Sequence, residues 1–351
     1  MTDHNNLPEE SGDAFSEMEQ MLKEAQEKLA KFQQEHTKEP EDSAEGEPKA
    51  AEEEAEDPFK KLCEEFPEDQ FPLGTNRESG EPLGLSMGSW HRLGIWVGQK
   101  NLTRKILGNL MIAAKHTGMQ VMVLRRKLFS EFANAELFQH AGLEPGDAYF
   151  WNGDASGMEI LARVLHREIS NQNVYRDEFC RENGIPEDAP GRAEKASAFI
   201  RRHTRPLLVL LESVSDLTAA GASEDVTEGL RLYLTASGGY NIYFAGMFSP
   251  EDREGTWEHP LGHAFTEAEH ALLIGGNHEG QQLIHMPEPG MEEGPEDGFI
   301  LRSGKECIAG TLSFSSLLSD LDEFSMALQE LMQATEEYTE PADGSAEKTE
   351  E

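Results

Sequence analysis

LGIWVGQKNLTRKILGNL, residues Leu93 to Leu110, is an apolar run that stops at a glycine, followed by a short polar stretch and then a helix-like segment. A strand that feeds a phosphate-binding loop in nucleotide-binding α/β proteins has this outline. Set against G-x-x-x-x-G-K-[ST], Gly98 matches the first glycine, while Thr103, Arg104 and Lys105 fill the three remaining diagnostic positions. In a working loop the second glycine lets backbone N–H groups curl around the phosphates. The lysine reaches the β- and γ-phosphates, and the hydroxyl holds Mg²⁺. All three requirements fail together. Lys100 lies within the expected loop and Lys105 one place past the expected lysine, so two cations are near but neither stands where the geometry asks for it.

Outward from this stretch, composition bounds the chain. Its 351 residues, 37% hydrophobic, suffice for a substantial core, but 30 Lys and Arg against 67 Asp and Glu give a net charge of −37. That charge is uneven: residues 1–70 carry 23 acidic and 7 basic side chains, and residues 321–351 carry 10 and 1. The middle is a mildly acidic globular domain and the ends are acidic appendages. Such a surface repels polyphosphate, which argues against general DNA binding. No apolar run is long enough to span a membrane, and MTDHNNLPEESGD lacks the basic and apolar regions of a signal peptide, so a cytoplasmic protein is expected. Cys63, Cys180 and Cys307 are odd in number and far apart, which suits reduced thiols better than a disulfide framework or a zinc site.

In chain order, Phe15, Met18, Met21, Leu22, Ala25, Leu29 and Phe32 recur at helical spacing and predict an amphipathic helix over about residues 14–35. Its stripe can pack on its own domain or dock on a partner. Residues 36–57 have too few apolar groups to offset the entropy of ordering and are expected to be a disordered linker, so residues 1–57 form an acidic tail. Residues 59–85, rich in Pro, Gly and charge, read as a lead-in segment over the domain surface anchored by Phe66, Phe71 and Leu73. Strands are expected at the end of 82–98, at 119–125, at 149–153 and at 241–248, with helices over 103–116, 127–138, 158–182 and 224–238. Residues 297–313 read as a hairpin around Ser303-Gly304. Leu317, Leu318, Leu321, Phe324, Leu328, Leu331 and Met332 predict one more amphipathic helix, which with a mobile acidic tail makes up 315–351.

The second diagnostic segment is RPLLVLLESVSDL, Arg205 to Leu217. Such a central strand in a P-loop ATPase ends in an acid that holds Mg²⁺ and often a second that polarises water. Here the end reads Glu212-Ser213, so one carboxylate stands where two acids would be useful. The plain alternative is that Glu212 is an exposed or capping residue. His259 and His263 are four apart, but Pro260 and Gly262 argue against the regular helix that would align them, so no metal site is expected. The dense basic groups are Arg125-Arg126-Lys127 and Arg201-Arg202 with Arg205. The bland reading, cations near strand ends pairing with the many carboxylates, is preferred to DNA translocation.

PLGLSMGSWHRLGIWVG (82–98), PLLVLLESVSDL (206–217), NIYFAG (241–246), and above all ALLIGGNHEGQQLIHMPEPG (271–290) followed by DGFILRSGKE (297–306) resemble the FtsK/SpoIIIE-like P-loop ATPases. The nearest likeness is to the C-terminal ATPase module of EssC-type coupling proteins from type VII secretion in Gram-positive bacteria. The resemblance covers roughly residues 72–313 and implies a RecA-like P-loop NTPase core, with a mostly parallel central sheet flanked by helices, over residues 58–314. Carried over by position, Gly98 matches the first loop glycine, Arg104 replaces the lysine, Lys105 the hydroxyl, and Glu212-Ser213 the acidic pair. Arginine is a poor substitute for the loop lysine, because its planar fork is larger and prefers bidentate contact.

Two function classes follow. The first is a non-catalytic pseudo-ATPase with no cofactor, an adaptor or regulatory subunit whose protein partner is an active FtsK/EssC-type ATPase or another component of the same bacterial machine. The second is a nucleotide-binding sensor or weak ATPase in which Lys100, Arg104 or Lys105 contacts phosphate and Glu212 holds the metal. Loss of several transition-state contacts at once disfavours hydrolysis, since this catalysis rests on positioning and charge stabilisation.

Overall fold

Residues 207–211, LLVLL, are buried without exception, as are 242–248 and 270–274, and these continuous runs form the middle of the fold. The structure, a computed structural model, describes residues 57–125, 141–143, 148–152, 154–219, 221–250, 256, 258–275, 280, 282, 285 and 298–314. In chain order its strands are β1 (Gln70–Asn76), β2 (Pro82–Ser86), β3 (Arg92–Val97), β4 (Gln120–Arg125), β5 (Ala148–Asn152), β6 (Leu207–Leu211), β7 (Ile242–Phe248), β8 (His270–Ile274), β9 (Gly298–Ser303) and β10 (Glu306–Thr311). The helices are α1 (Pro58–Glu64), α2 (Lys100–His116), α3 (Ala155–Glu182), α4 (Arg192–His203), α5 (Val214–Ala219), α6 (Glu224–Ala236) and α7 (Pro260–Thr266).

All ten strands join one sheet in the order β2-β1-β10-β9-β8-β3-β7-β6-β4-β5. From β8 to β5 every pairing is parallel, and from β8 outward through β9, β10, β1 and β2 every pairing is antiparallel. Parallel neighbours need crossovers that cover both faces, which is why the central strands carry no polar alternation. One face packs α1 and α2 through Phe59, Leu102, Ile106, Leu107, Leu110 and Met111. The other packs α3, α6 and α7 through Met158, Leu161, Leu165, Leu230, Leu234 and Phe265. The helices that follow β3 and β7 therefore leave to opposite faces although the two strands are neighbours. In an open α/β sheet, such a place is where the crevice at the strand C-termini forms.

Glycines make the close approaches. Gly94 of β3 stands opposite Gly246 of β7. A Cβ on Gly94 would strike the Phe265 carbonyl oxygen, and one on Gly246 would lie 2.8 Å from Val214 Cγ2 and 2.9 Å from Phe265 Cδ1. This paired shallow seam lets α7 press Phe265 onto the sheet.

The structure revises three expectations. Residues 59–85 are more than a surface lead-in: they hold α1, capped by the Asp57 carboxylate accepting from the Phe59 and Lys60 N–H groups, and the antiparallel pair β1 and β2. Phe59, Phe66, Phe71 and Leu73 are core residues. Secondly, Pro260 and Gly262 do not prevent a helix, because Pro260 sits in the first turn of α7, where its missing N–H has no intrahelical partner to lose. Thirdly, α4 and the short α5 were not expected. The helices expected over 14–35, 127–138 and 315–338 fall outside the described residues.

Gly94→Ala is expected to lower the unfolding free energy by about 3 kcal/mol or more, because the clash is with backbone that cannot rotate away. Gly229→Ala, in the interior of α6 with nothing within 4 Å of the added methyl, is expected to raise it by about 0.5–1 kcal/mol. Urea unfolding of the two variants measures both.

Candidate functional site

The connection from β3 to α2 is two residues long, Gly98 and Gln99. Gly98 donates its N–H to the Ile274 carbonyl at 2.8 Å, and it lies so close to Gly275 that an added Cβ would meet the Gly275 carbonyl oxygen. Gly275 turns away with φ +58. Gln99 is extended and caps α2 without a side-chain hydrogen bond. Lys100 is thus the first residue of the helix rather than part of a loop, and Thr103, Arg104 and Lys105 lie inside α2. Their N–H groups belong to the helical ladder and cannot curl around a phosphate. The cause is legible in the apolar stripe: Leu102 is buried with Ile106, Leu107 and Leu110, and satisfying that stripe starts the helix early. Thr103, Arg104 and Lys105 are half-buried, and Lys105 Nζ stands 5.7 Å from the centroid of the Phe314 ring.

Glu212 follows β6 and Arg125 ends β4, the strand next to it. The two side chains form a bidentate pair, Arg125 Nε donating to Glu212 Oε2 at 3.1 Å and Nη2 to Oε1 at 3.3 Å. They are only 10% and 13% exposed, so the pair is largely withdrawn from water. The Glu212 N–H donates to the Leu124 carbonyl, which fixes the backbone of the turn. Glu212 is therefore not an exposed residue. Ser213 follows it, directly before α5. The structure brings Gly98 and Glu212 to the same end of the sheet, separated by β7, which at about 4.8 Å between strands is about 10 Å apart. Sequence reasoning took Arg125 only as part of a basic run. The missed signal is that MQVMVLR places its arginine at the C-terminus of a strand that neighbours the one ending in Glu212.

His259 and His263 do not act together. His259 is the N-cap of α7, its Nδ1 accepting from the Leu261 N–H at 3.2 Å, whereas His263 lies on the helix 3.9 Å from Glu267. The second partner of Glu267 is His285, whose Nε2 is 2.8 Å from the same carboxylate oxygen and whose backbone has φ +51. With Thr266, Ala268 and Arg302, these two side chains line a cavity of about 170 Å³. Arg302 donates to the Ala268 carbonyl at 2.6 Å and at longer range to the Glu269 and Gly304 carbonyls. Among the described residues, no group of three or more His, Cys, Asp or Glu side chains is arranged to hold a metal ion. The three cysteines are free thiols, and burial, with Asp57 and Glu64, pushes the Cys63 thiol up to about 12. Among the described residues no helix is long and apolar enough to cross a membrane.

Solved structures with this architecture include the cytoplasmic domain of EssC, at TM-score 0.53 and 10% identity, covering 70% of this chain and 44% of that one. EssC (ATPases 2 and 3) from Geobacillus thermodenitrificans matches at TM-score 0.50 and 11% identity, covering 70% and 41%. The fold is RecA-like. At these identities the likeness is one of fold, and the chain spans less than half of each of the two structures. No protein-family model and no curated protein sequence matches the chain. β3 and α2 form a strand–connection–helix unit, and Glu212 ends β6, two places away from β3 in the sheet.

Removing one partner of a withdrawn ion pair leaves an uncompensated charge, so Arg125→Ala or Glu212→Ala is expected to cost about 3–5 kcal/mol. The double change Arg125→Met with Glu212→Leu is expected to recover most of that loss, and a double-mutant cycle in urea measures the coupling. A second expectation concerns acid. His91, which stacks on Tyr243 and contacts the Ile242 carbonyl through Nδ1, titrates below the ordinary 6.5. Burial is the largest cause, with Arg201 and Arg92 adding to it against the opposing Ile242 bond. His259 is also held down, by burial. With folded pKa values below the unfolded one, the unfolded chain takes up these protons first. The stability held above about pH 6.5 is therefore lost as the pH falls toward the folded values. Urea unfolding at about pH 7 and about pH 5.5 should show this loss, and His91→Gln should show a smaller one.

Proposed function

We propose that this chain is a non-catalytic pseudo-ATPase that serves as an adaptor or regulatory subunit of an FtsK/EssC-type secretion or translocation machine in the bacterial cytoplasm. The observation that carries the reading is the Arg125–Glu212 pair. A carboxylate at this strand end would hold Mg²⁺ or polarise water with its charge and its lone pairs, and here one guanidinium compensates the charge and takes one acceptor site on each oxygen. Two further features support it. The β3–α2 connection supplies two residues where a phosphate loop needs several, and Arg104 and Lys105 sit within a helix. A large sheet without these contacts suits a subunit that works through its surface, with an active ATPase of the same machine as partner.

The test is calorimetric titration of the full chain with MgATP, together with Arg104→Ala and Glu212→Ala variants. The adaptor reading expects no saturable heat and no thermal stabilisation. A ligand at a hundred times its dissociation constant would add about 2.7 kcal/mol. Saturable binding lost in both variants would overturn the reading and make the protein a nucleotide sensor.

A further inference from the structure

We infer that Arg125 is a built-in counter-ion that keeps divalent cations off Glu212, so that this carboxylate takes a divalent metal only once Arg125 is removed. The inference rests on the pseudo-ATPase reading of this strand end and goes beyond it by giving the exclusion to one residue.

Magnesium is the ion that a P-loop ATPase holds at such a strand end, through a carboxylate, a loop hydroxyl and phosphate oxygens. The residues here do not fit it. Ser213 stands where a second acid would be useful, and Lys105, a cation, stands in place of the loop hydroxyl. The strand register explains why Arg125 meets Glu212 instead. β4 and β6 are parallel neighbours with Leu124 opposite Leu211, and the Glu212 N–H continues the ladder by donating to the Leu124 carbonyl at 3.0 Å. The next residues along the two strands are Arg125 and Glu212, and their side chains close the bidentate pair. Among the described residues, Arg125 is the one side chain bonded to the Glu212 carboxylate.

Charge, more than any lack of lone pairs, does the excluding. The guanidinium takes one acceptor site on each oxygen and leaves others. A dication binding there would meet a fixed positive charge at a place where the two side chains are only 10% and 13% exposed, so water screens the repulsion little. The guanidinium is also weakly hydrated and tethered to the neighbouring strand, whereas magnesium gives up its water reluctantly. A lysine at position 125 would keep the exclusion, because the charge is the same. Glutamine or methionine would leave Glu212 a withdrawn, uncompensated anion that an added cation relieves. A pair that only staples β4 to β6 predicts no such cation dependence.

The experiment is thermal unfolding of the full chain in magnesium chloride and in sodium chloride of equal ionic strength, which separates binding from screening. The variants are Arg125→Gln, Arg125→Met, Arg125→Lys, and Arg125→Gln combined with Glu212→Gln. The double variant keeps every other carboxylate of the chain and so subtracts magnesium bound elsewhere. The Tm of Arg125→Gln and of Arg125→Met is expected to rise in magnesium by about 2–4 °C more than that of the double variant. Wild type and Arg125→Lys are expected to match the double variant. Should Arg125→Gln show no cooperative transition in sodium, magnesium is expected to restore one. Arg125→Gln that gains nothing over the double variant, or a magnesium-specific gain in the wild type, would overturn the inference. A missing gain in Arg125→Gln leaves the pseudo-ATPase reading standing on the two-residue β3–α2 connection, and that reading falls only if the wild type binds MgATP, so the two failures are distinguishable.

Discussion

The contact between Gly98 and Gly275 sets the geometry of the whole strand-end region. β3 and β8 are parallel neighbours, and where they finish, the backbone of one passes against the backbone of the other with no side chain between them. The Gly98 N–H is used by the Ile274 carbonyl. A phosphate loop requires its first residues to stand away from the sheet with their N–H groups turned inward. Here they are held down, and the chain enters α2 after one further residue. The glycine that most suggests a nucleotide loop in the sequence is thus explained by close packing of two strand ends.

Arg125 and Glu212 act at the next pair of strand ends in a related way. In a sheet whose C-terminal edge gathers carboxylates for a metal, the cation is external and exchangeable. Here the cation is covalently part of the neighbouring strand, and its planar fork satisfies both carboxylate oxygens. Desolvation of such a pair limits what it adds to stability, so its effect is chiefly on specificity: it fixes β4 against β6 at their ends and leaves neither group with an unmet charge.

The sequence revealed the central strands because burial on both faces leaves a continuous apolar run, and LLVLL and IYFAGMF can hardly be anything else. It also located the β9–β10 hairpin, where Gly304 takes φ +59. It was less informative where tertiary contacts decide. Residues 70–86 are poor in strand formers, yet Phe71, Leu73 and Leu85 are drawn into the core and the backbone pairs accordingly. Pro260 and Gly262 lower the intrinsic helix propensity of 260–266, but Leu261, Ala264 and Phe265 bury against the sheet, and that burial outweighs it. At the candidate site, the identities Gly98 and Glu212 could be read and their surroundings could not. The partner of Glu212 lies 87 positions earlier in the chain, and only strand order makes them neighbours.

Charge is distributed along the sheet axis in a manner that local sequence does not display. At the C-terminal edge of the sheet, Arg125, the first residue of the RRK run, pairs with Glu212. At the N-terminal edge, Arg205 of the RRHTR run and Arg92 donate to the Gly118 and Ala264 carbonyls. Both runs looked alike as clusters of basic residues among many acids. They differ in that strand order sets Glu212 beside Arg125.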